Sequence, residues 1–178
     1  RGRYREAQVI ALDYALPMLG AAQGGWFRRW FRKRPLRVCA DFSRLPLADG
    51  SVELVWCNLA LHWANDPLAV FREFERVLSP EGLVLFSTLG PDTLKELRAV
   101  AGSARVHAFL DMHDLGDMLV EAGFGDPVMD MEMLTLTYTE ATALMRELKA
   151  LGAHNVTAAR PRGMMGRRRW QRMLDALE

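Results

Sequence analysis

Short apolar runs alternate with longer segments of helical periodicity along most of the chain. Four runs have the length and β-rich composition of strands: Val9–Leu12, Leu36–Ala40, Val52–Cys57 and Leu83–Thr88. Between them, apolar residues recur three and four positions apart, as on one face of a helix. This alternation is typical of βαβ units, in which helices cover a parallel sheet. We therefore predict an α/β fold.

The helical segments have recognisable ends. A helix over Pro67–Leu78 is expected to stop at the turn sequence Ser79–Gly82, and a new helix after Gly90 has Thr93 and Glu96 spaced as a capping box. The remaining predicted elements are a helix over His113–Ala122 that ends at Gly123, a long strand over Val128–Tyr138 with a phase slip, and helices over Glu140–Leu151 and Gly166–Leu177.

Polar side chains follow three of the predicted strands. Asp13 ends the first, Asp41 the second and Asn58 the third. Ligands of open parallel sheets bind beyond the carboxyl ends of the strands, where an acidic residue can accept both hydroxyls of a ribose. Each residue also has a structural alternative, because Asp is a common helix cap and Asn a common turn residue. Three in register favour a binding site.

Charge and composition narrow the classes of function. Half of the 178 residues are apolar and the net charge is +1, which suits one globular domain and gives no case for nucleic acid. No apolar stretch approaches the roughly 20 residues of a membrane span, and the start lacks a signal sequence. Cys39 and Cys57 lie in apolar runs, as buried thiols do in a reducing compartment, so we expect a cytoplasmic protein without a metal site.

Three stretches carry a family resemblance: "VIALDYALPML", "CADFSRLPLADGSVELVWCNLALHW" and "RVLSPEGLVLFSTLGPDTL". Their order and spacing resemble class I S-adenosylmethionine-dependent methyltransferases, from the second strand of that fold through the fifth. The resemblance implies a Rossmann-like sheet with helices on both faces. The first strand and the C-terminal strand are missing from this pattern, and the chain starts at Arg1 without Met, so we expect a single domain over residues 1–178 that is truncated at both ends.

The resemblance also assigns a cofactor, S-adenosyl-L-methionine, and its site. The carboxylate matching Asp13 binds the ribose, Asp41 with the backbone of Phe42 faces the adenine amine, and Asn58 lies near the methyl donor. Tyr14 or Met18 flanks the adenine ring. The glycine-rich loop that follows the family's first strand is absent, and Gly24-Gly25 does not replace it, because no strand precedes that pair.

The downstream half narrows the resemblance. "FSTLGPDTLKELR", "FLDMHDLGDMLVEAGFGDPVMDMEMLTLTY" and "LMRELKALGAHN" are similar to the malonyl-acyl-carrier-protein O-methyltransferases of biotin synthesis. Their substrate is a malonyl thioester on acyl carrier protein, which they esterify at the free carboxyl. Two alternatives stay open: a related assembly factor of respiratory complex I that acts on arginine, and a binding protein that kept the fold and lost the cofactor loop.

Carboxyl methylation needs no general base, because the malonyl carboxylate is already ionised at pH 7. Accordingly, no Ser-His-Asp arrangement is evident, and Ser87 lies inside an apolar strand. A planar cation is needed to fix the carboxylate, and Arg160 is our first choice, with Arg162 as an alternative; both are equally plausible as ordinary surface cations near a turn. Arg160 follows a helix that covers the mouth of the sheet in this family, so we expect 139–178 to form a helical cover over the substrate. His62, Trp63 and Tyr138 are candidate pocket walls. His62 is equally plausible as an ordinary surface histidine, and large aromatic residues such as Trp63 and Tyr138 are more often part of the core.

Two basic runs remain, Trp26–Arg37 and Gly166–Arg172. The first holds six cations in twelve residues, with aromatic residues at helical spacing. Each run is consistent with a solvated helix face, with docking of an acidic carrier protein, or with contact to an anionic membrane.

Overall fold

The computed structural model of this protein describes residues 6–21, 34–150, 163 and 166–177. These residues divide into two compact units. The first unit is Arg1–Thr88 with Asp117–Pro127, and the second is Leu89–Gly116 with Val128–Glu178. None of the described helices is long and apolar enough to cross a membrane. The prediction of one domain over the whole chain stays a prediction.

A parallel strand pair opens the first unit. Strand β1 (Ile10–Asp13) runs beside β2 (Leu36–Cys39), with Asp13 opposite Cys39 at the carboxyl end. Helix α1 (Leu16–Ala21) follows β1. The two strand predictions are confirmed to within one residue at each end.

A second parallel pair is formed by β3 (Val52–Asn58) and β4 (Leu78–Ser87), and Asn58 lies opposite Ser87. Strand β4 begins before the predicted Leu83. Because Val52 pairs with Leu78 and Leu54 with Leu83, the turn sequence between them forms an irregularity inside β4.

Helix α2 (Pro67–Val77) joins this second pair. It starts where the sequence predicts, with Asp66 as N-cap accepting a hydrogen bond from Ala69 N–H at 3.1 Å and Pro at the first helical position. Its buried face consists of Val70, Phe71, Phe74 and Val77. The ring centroid of Phe71 lies 5.4 Å from that of Phe86 on β4, so the helix covers one face of the strand pair. A single-turn 3-10 helix, Leu61–Trp63, precedes α2.

The second unit is mainly helical. It contains α3 (Lys95–Ala101), a 3-10 turn (Ser103–Arg105), the start of α4 (Met112–Ala122), α5 (Ala141–Ala150) and α6 (Arg167–Asp175). Its core consists of Leu97, Ala101, Val106, Ala141, Met173 and Leu174.

Two local predictions for this part of the chain are wrong. Residues 128–138 form no strand, and Val128 is 95% exposed, because no other strand pairs with this segment among the described residues. The capping box also fails: Leu94, with a left-handed φ of 55°, is the residue before α3, and no side chain caps the helix. Arg98 instead donates hydrogen bonds to the carbonyls of Pro91 and Thr93, which fixes the turn ahead of the helix.

Candidate functional site

Asp13 is the last residue of β1 and the first residue of the candidate site. Its Oδ1 accepts a hydrogen bond from Ala15 N–H at 2.7 Å, which turns the chain from β1 toward α1. Asp13 therefore has a structural role in the turn before α1, similar to the helix-cap alternative. A carboxylate has about four lone-pair positions, so one local hydrogen bond leaves it able to accept hydroxyl groups as well.

Asp41 lies two residues beyond the end of β2. Its Oδ1 accepts hydrogen bonds from the Ser43 hydroxyl at 2.7 Å and from Ser43 N–H at 2.9 Å. These bonds lower the pKa of the Asp41 carboxyl below its ordinary value, because they favour the charged form. The strand end thus presents an ionised acceptor close to Asp13, since β1 and β2 are paired in parallel.

Asn58 ends β3 and is joined to the end of β4. The Ser87 hydroxyl donates to Asn58 Oδ1 at 2.8 Å and accepts from Leu59 N–H at 3.1 Å. Leu59 has a left-handed φ of 48°, so the backbone turns sharply after the strand. Ser87 belongs to β4, as the sequence predicts, but it is the last residue of the strand, where its hydroxyl holds Asn58 in place.

Sequence reasoning missed Ser87 as a site residue, although a signal was present. The run Leu83–Thr88 becomes polar at its end, as the runs before Asp13 and Asn58 do. Each of β1 to β4, the strands seen among the described residues of the first unit, therefore ends at, or within two residues of, a polar side chain at the carboxyl edge.

A side-chain clamp fixes the loop that follows Asp41. Arg76 on α2 donates to the carbonyls of Leu45 at 3.0 Å and Leu47 at 2.9 Å, and it is paired with Glu73 at 2.7 Å and with Asp49. Glu73 in turn accepts Leu45 N–H at 2.6 Å. The hydrogen bond from Arg76 lowers the pKa of Glu73, so the pair is ionised. No sequence motif indicated this clamp.

The candidate adenine neighbours differ in exposure. Tyr14 and Met18 are 79% and 58% exposed, and Phe42 is partly buried. Tyr14 follows the end of β1 and Met18 lies on α1, and large exposed side chains of this kind suit contact with a planar ligand. The structure brings Tyr14 next to the strand ends directly, since Cys39 Sγ on β2 contacts the Tyr14 carbonyl oxygen at 3.4 Å.

The candidate substrate residues lie in different places. His62 and Trp63 share the 3-10 helix after β3, with ring centroids 5.2 Å apart. Tyr138 belongs to the second unit, where a hydrogen bond with Glu147 raises its pKa because the ionised carboxylate favours the protonated phenol. Arg160, the predicted carboxylate-binding residue, lies outside the described residues, as does most of the basic run Trp26–Arg37.

The two cysteines differ from the prediction that both are buried. Cys57 on β3 is buried, and burial raises the pKa of its thiol. Cys39 is exposed, because it ends β2 at the open edge of the strand pair. Within the described ranges, no group of three or more His, Cys, Asp or Glu is arranged as a metal site.

Comparison with known protein families agrees with this geometry. Residues 2–86 match the family described as a methyltransferase domain. Among solved structures, the chain is similar to the YcgJ protein of Bacillus subtilis, with a TM-score of 0.65 and 15% identity over 95% of this chain and 67% of that one. It is also similar to an S-adenosylmethionine-dependent methyltransferase of Mesorhizobium loti, with a TM-score of 0.55 and 22% identity over 83% and 76% of the two chains. The fold is that of class I methyltransferases, as predicted.

Curated relatives narrow the similarity. The malonyl-[acyl-carrier protein] O-methyltransferase of Laribacter hongkongensis is 56% identical over all of this chain and 63% of its own length. The protein of the same name from Gallionella capsiferriformans is 52% identical over 99% of this chain and 63% of its own length. The resemblance to these O-methyltransferases is confirmed. The chain spans less than two thirds of the length of these relatives.

Proposed function

We propose that this chain is the cofactor-binding part of an S-adenosylmethionine-dependent methyltransferase that esterifies the free carboxyl of malonyl-acyl-carrier protein in the cytoplasm. The observation that carries the proposal is the row of polar side chains at the carboxyl ends of the parallel strands, Asp13, Asp41, Asn58 and Ser87. The similarity to relatives named for this reaction supports the choice of substrate.

The described residues fit the nucleoside part of the cofactor. Asp13 would accept the ribose hydroxyls, and Asp41, kept ionised by Ser43, would accept the adenine amine beside the backbone of Phe42. Tyr14 or Met18 would flank the adenine ring. When bound, S-adenosylmethionine supplies a methyl group on a positively charged sulfur.

The substrate side needs positioning more than proton transfer. A malonyl carboxylate is ionised at pH 7, so the protein has no proton to remove and has only to orient one oxygen and exclude water. We assign Asn58 to the edge nearest the reacting groups, because Ser87 fixes its amide. His62, Trp63 and Tyr138 are proposed pocket walls, and Arg160 is the proposed partner of the carboxylate.

Intact mass spectrometry tests the reaction directly. Malonyl-acyl-carrier protein is incubated with S-adenosylmethionine and with the protein extended to the full length of its relatives. Acetyl-acyl-carrier protein serves as the matched substrate control. We expect a product heavier by one methyl group from the malonyl carrier and no change in the acetyl carrier, which has no free carboxyl. Methylation of both carriers would contradict carboxyl esterification.

The same sample separates the two alternatives. If it binds cofactor but leaves the malonyl carrier unchanged, the arginine-modifying relative becomes the better assignment. If it binds no cofactor at all, the chain is a binding protein with a methyltransferase fold.

A further inference from the structure

Helix α6 has a charge distribution that works against its own stability. Its first turn holds Arg167, Arg168 and Arg169 and no acidic residue, and its N-cap, Gly166, offers no side-chain acceptor. The N-terminus of a helix carries a partial positive charge, so cations there are unfavourable and anions favourable. Residues whose charge is unfavourable for the local structure, as these arginines are, are often kept for a function.

The arginines are also unpaired within the part of the chain that the structure describes. No carboxylate oxygen of a described residue lies within 4.0 Å of the guanidinium groups of Arg167, Arg168, Arg169 and Arg172, and all four side chains are exposed. These four residues are called the α6 arginine surface. It leaves a concentrated positive charge on a protein whose net charge is only +1.

The helix that carries this surface is anchored in the core of the second unit. Met173 and Leu174 on the same helix are only 6% and 7% exposed, and they pack in the core of the second unit with Leu97 and Ala141. Arg168 and Arg172, four residues apart, lie on the side of the helix opposite these buried residues. Because the helix is already folded against this core, its backbone does not have to become ordered when a partner binds.

We propose that the α6 arginine surface docks an acidic face of the acyl carrier protein that delivers the malonyl group. This inference rests on the proposed function and adds the place of contact. A membrane is disfavoured, because the apolar side of α6 is already buried in the core and is not available for insertion. Nucleic acid is disfavoured by the near-neutral net charge.

Charge-neutral variants test the proposal. The double variant R168Q/R172Q is made in a protein extended to the full length of its relatives. Its KM and kcat are compared with those of wild type for malonyl-acyl-carrier protein and for malonyl-pantetheine, a small thioester without the carrier. We expect KM for the carrier substrate to rise at least tenfold with kcat unchanged, and KM for the small thioester to stay within twofold. The effect should shrink at high salt, because salt screens charge attraction.

A matched control replaces two cations of the same unit that lie outside the expected substrate cover. K95Q/R105Q, at the start of α3 and in the 3-10 turn after it, removes the same number of charges and is expected to leave both KM values unchanged. The assignment is overturned if R168Q/R172Q raises KM equally for the carrier substrate and for the small thioester. It is also overturned if both double variants raise KM for the carrier substrate equally.

Direct binding keeps the proposal testable if no methyl transfer is seen. Calorimetry with malonyl-acyl-carrier protein should show at least tenfold weaker binding to R168Q/R172Q than to wild type. Identical affinities overturn docking at α6 whatever the activity is. Tight binding of wild type to anionic lipid vesicles, lost in the variant while carrier binding is kept, would assign the surface to a membrane instead and overturn the proposal.

Discussion

The Asp13 carboxylate is the residue on which the proposed cofactor site most depends. It ends β1, and its Oδ1 accepts a local hydrogen bond from Ala15 N–H. We expect D13A to weaken S-adenosylmethionine binding by roughly tenfold to a hundredfold, because a hydrogen bond to a charged group contributes about 1.5–3 kcal/mol. Calorimetric titration measures the affinity.

Asp130 provides the control for this substitution. Like Asp13, it accepts a neighbouring backbone N–H, that of Met131 at 2.8 Å, but it is exposed where Asp13 is partly buried, and it does not end a strand. D130A should bind the cofactor as wild type does. Equal weakening in D13A and D130A would show that Asp13 acts through local structure and not through the ribose.

The hydrogen bonds to Asp41 are expected to affect the pKa of its carboxyl, which a titration measures. Hydrogen bonds from the Ser43 hydroxyl and N–H lower the pKa of the Asp41 carboxyl in the folded protein. These bonds therefore stabilise the folded state fully at pH values above the pKa of the unfolded chain, about 3.9, and this stabilisation is lost as the pH falls through the pKa of the folded protein. S43A removes the hydroxyl bond, which is the larger cause, and should move the pKa of Asp41 up toward the ordinary value. Carboxyl carbon NMR across pH 2–6 measures it, and S103A, an exposed serine in the other unit, should cause no shift.

How far the sequence determines the site differs between residues. The strand-end positions of Asp13 and Asn58 follow from apolar runs that end in a single polar residue, and the structure confirms them. The contact of Ser87 with Asn58 was not predicted, because it joins the ends of two strands 29 positions apart and no local pattern reveals that pairing. The roles of these side chains toward a cofactor stay predictions.

Among the elements, α2 has the most consequential polar contacts. Its Arg76 binds two loop carbonyls and the carboxylate of Glu73, whose side chain is only 15% exposed. We expect R76A to lower the free energy of unfolding by about 1–3 kcal/mol, because the carbonyls and Glu73 lose their partner in a partly buried site. The Leu45 amide should also exchange faster with deuterium, since it donates to Glu73.

The same helix carries the matched control. Arg72 forms an ion pair with Glu121 at 2.9 Å, but both side chains are more than half exposed, and pairs of this kind contribute about 0–1 kcal/mol. R72A should therefore leave the denaturant midpoint nearly unchanged. We attribute the stabilising effect of Arg76 to its contacts with the loop carbonyls and not to its charge. Equal destabilisation by R72A and R76A would contradict this.

At the scale of elements, patterns with strong local signals were predicted well. Helix α2 was placed to within one residue because Asp66, Pro67 and the apolar spacing agree. The segment 128–138 alternates like a strand but forms none, because a strand also needs a neighbour for its backbone groups and alternation says nothing about that neighbour. The clamp of Arg76 joins residues about 30 positions apart, which no local pattern reveals.

At the scale of the whole molecule, the strands that the structure describes form two pairs, β1 with β2 and β3 with β4. In the doubly wound order 3-2-1-4-5, the second and third strands are neighbours, as are the fourth and fifth, and the first strand lies between the two pairs. The four strands here match the second through fifth of that order by family resemblance. The split into pairs is therefore the pattern expected when the central strand is not among the described residues.

This interpretation makes a prediction for the protein at the length of its relatives. A central strand would pair with β1 on one side and with β3 on the other, so the backbone amides of both should exchange with deuterium more slowly than in the 178-residue chain. Strand β2 is the internal control, because it lies at the far side of its pair and gains no neighbour from such a strand. Slower exchange in β2 to the same extent would indicate general stabilisation, and unchanged exchange in β1 and β3 would show that the two pairs are not joined by a central strand.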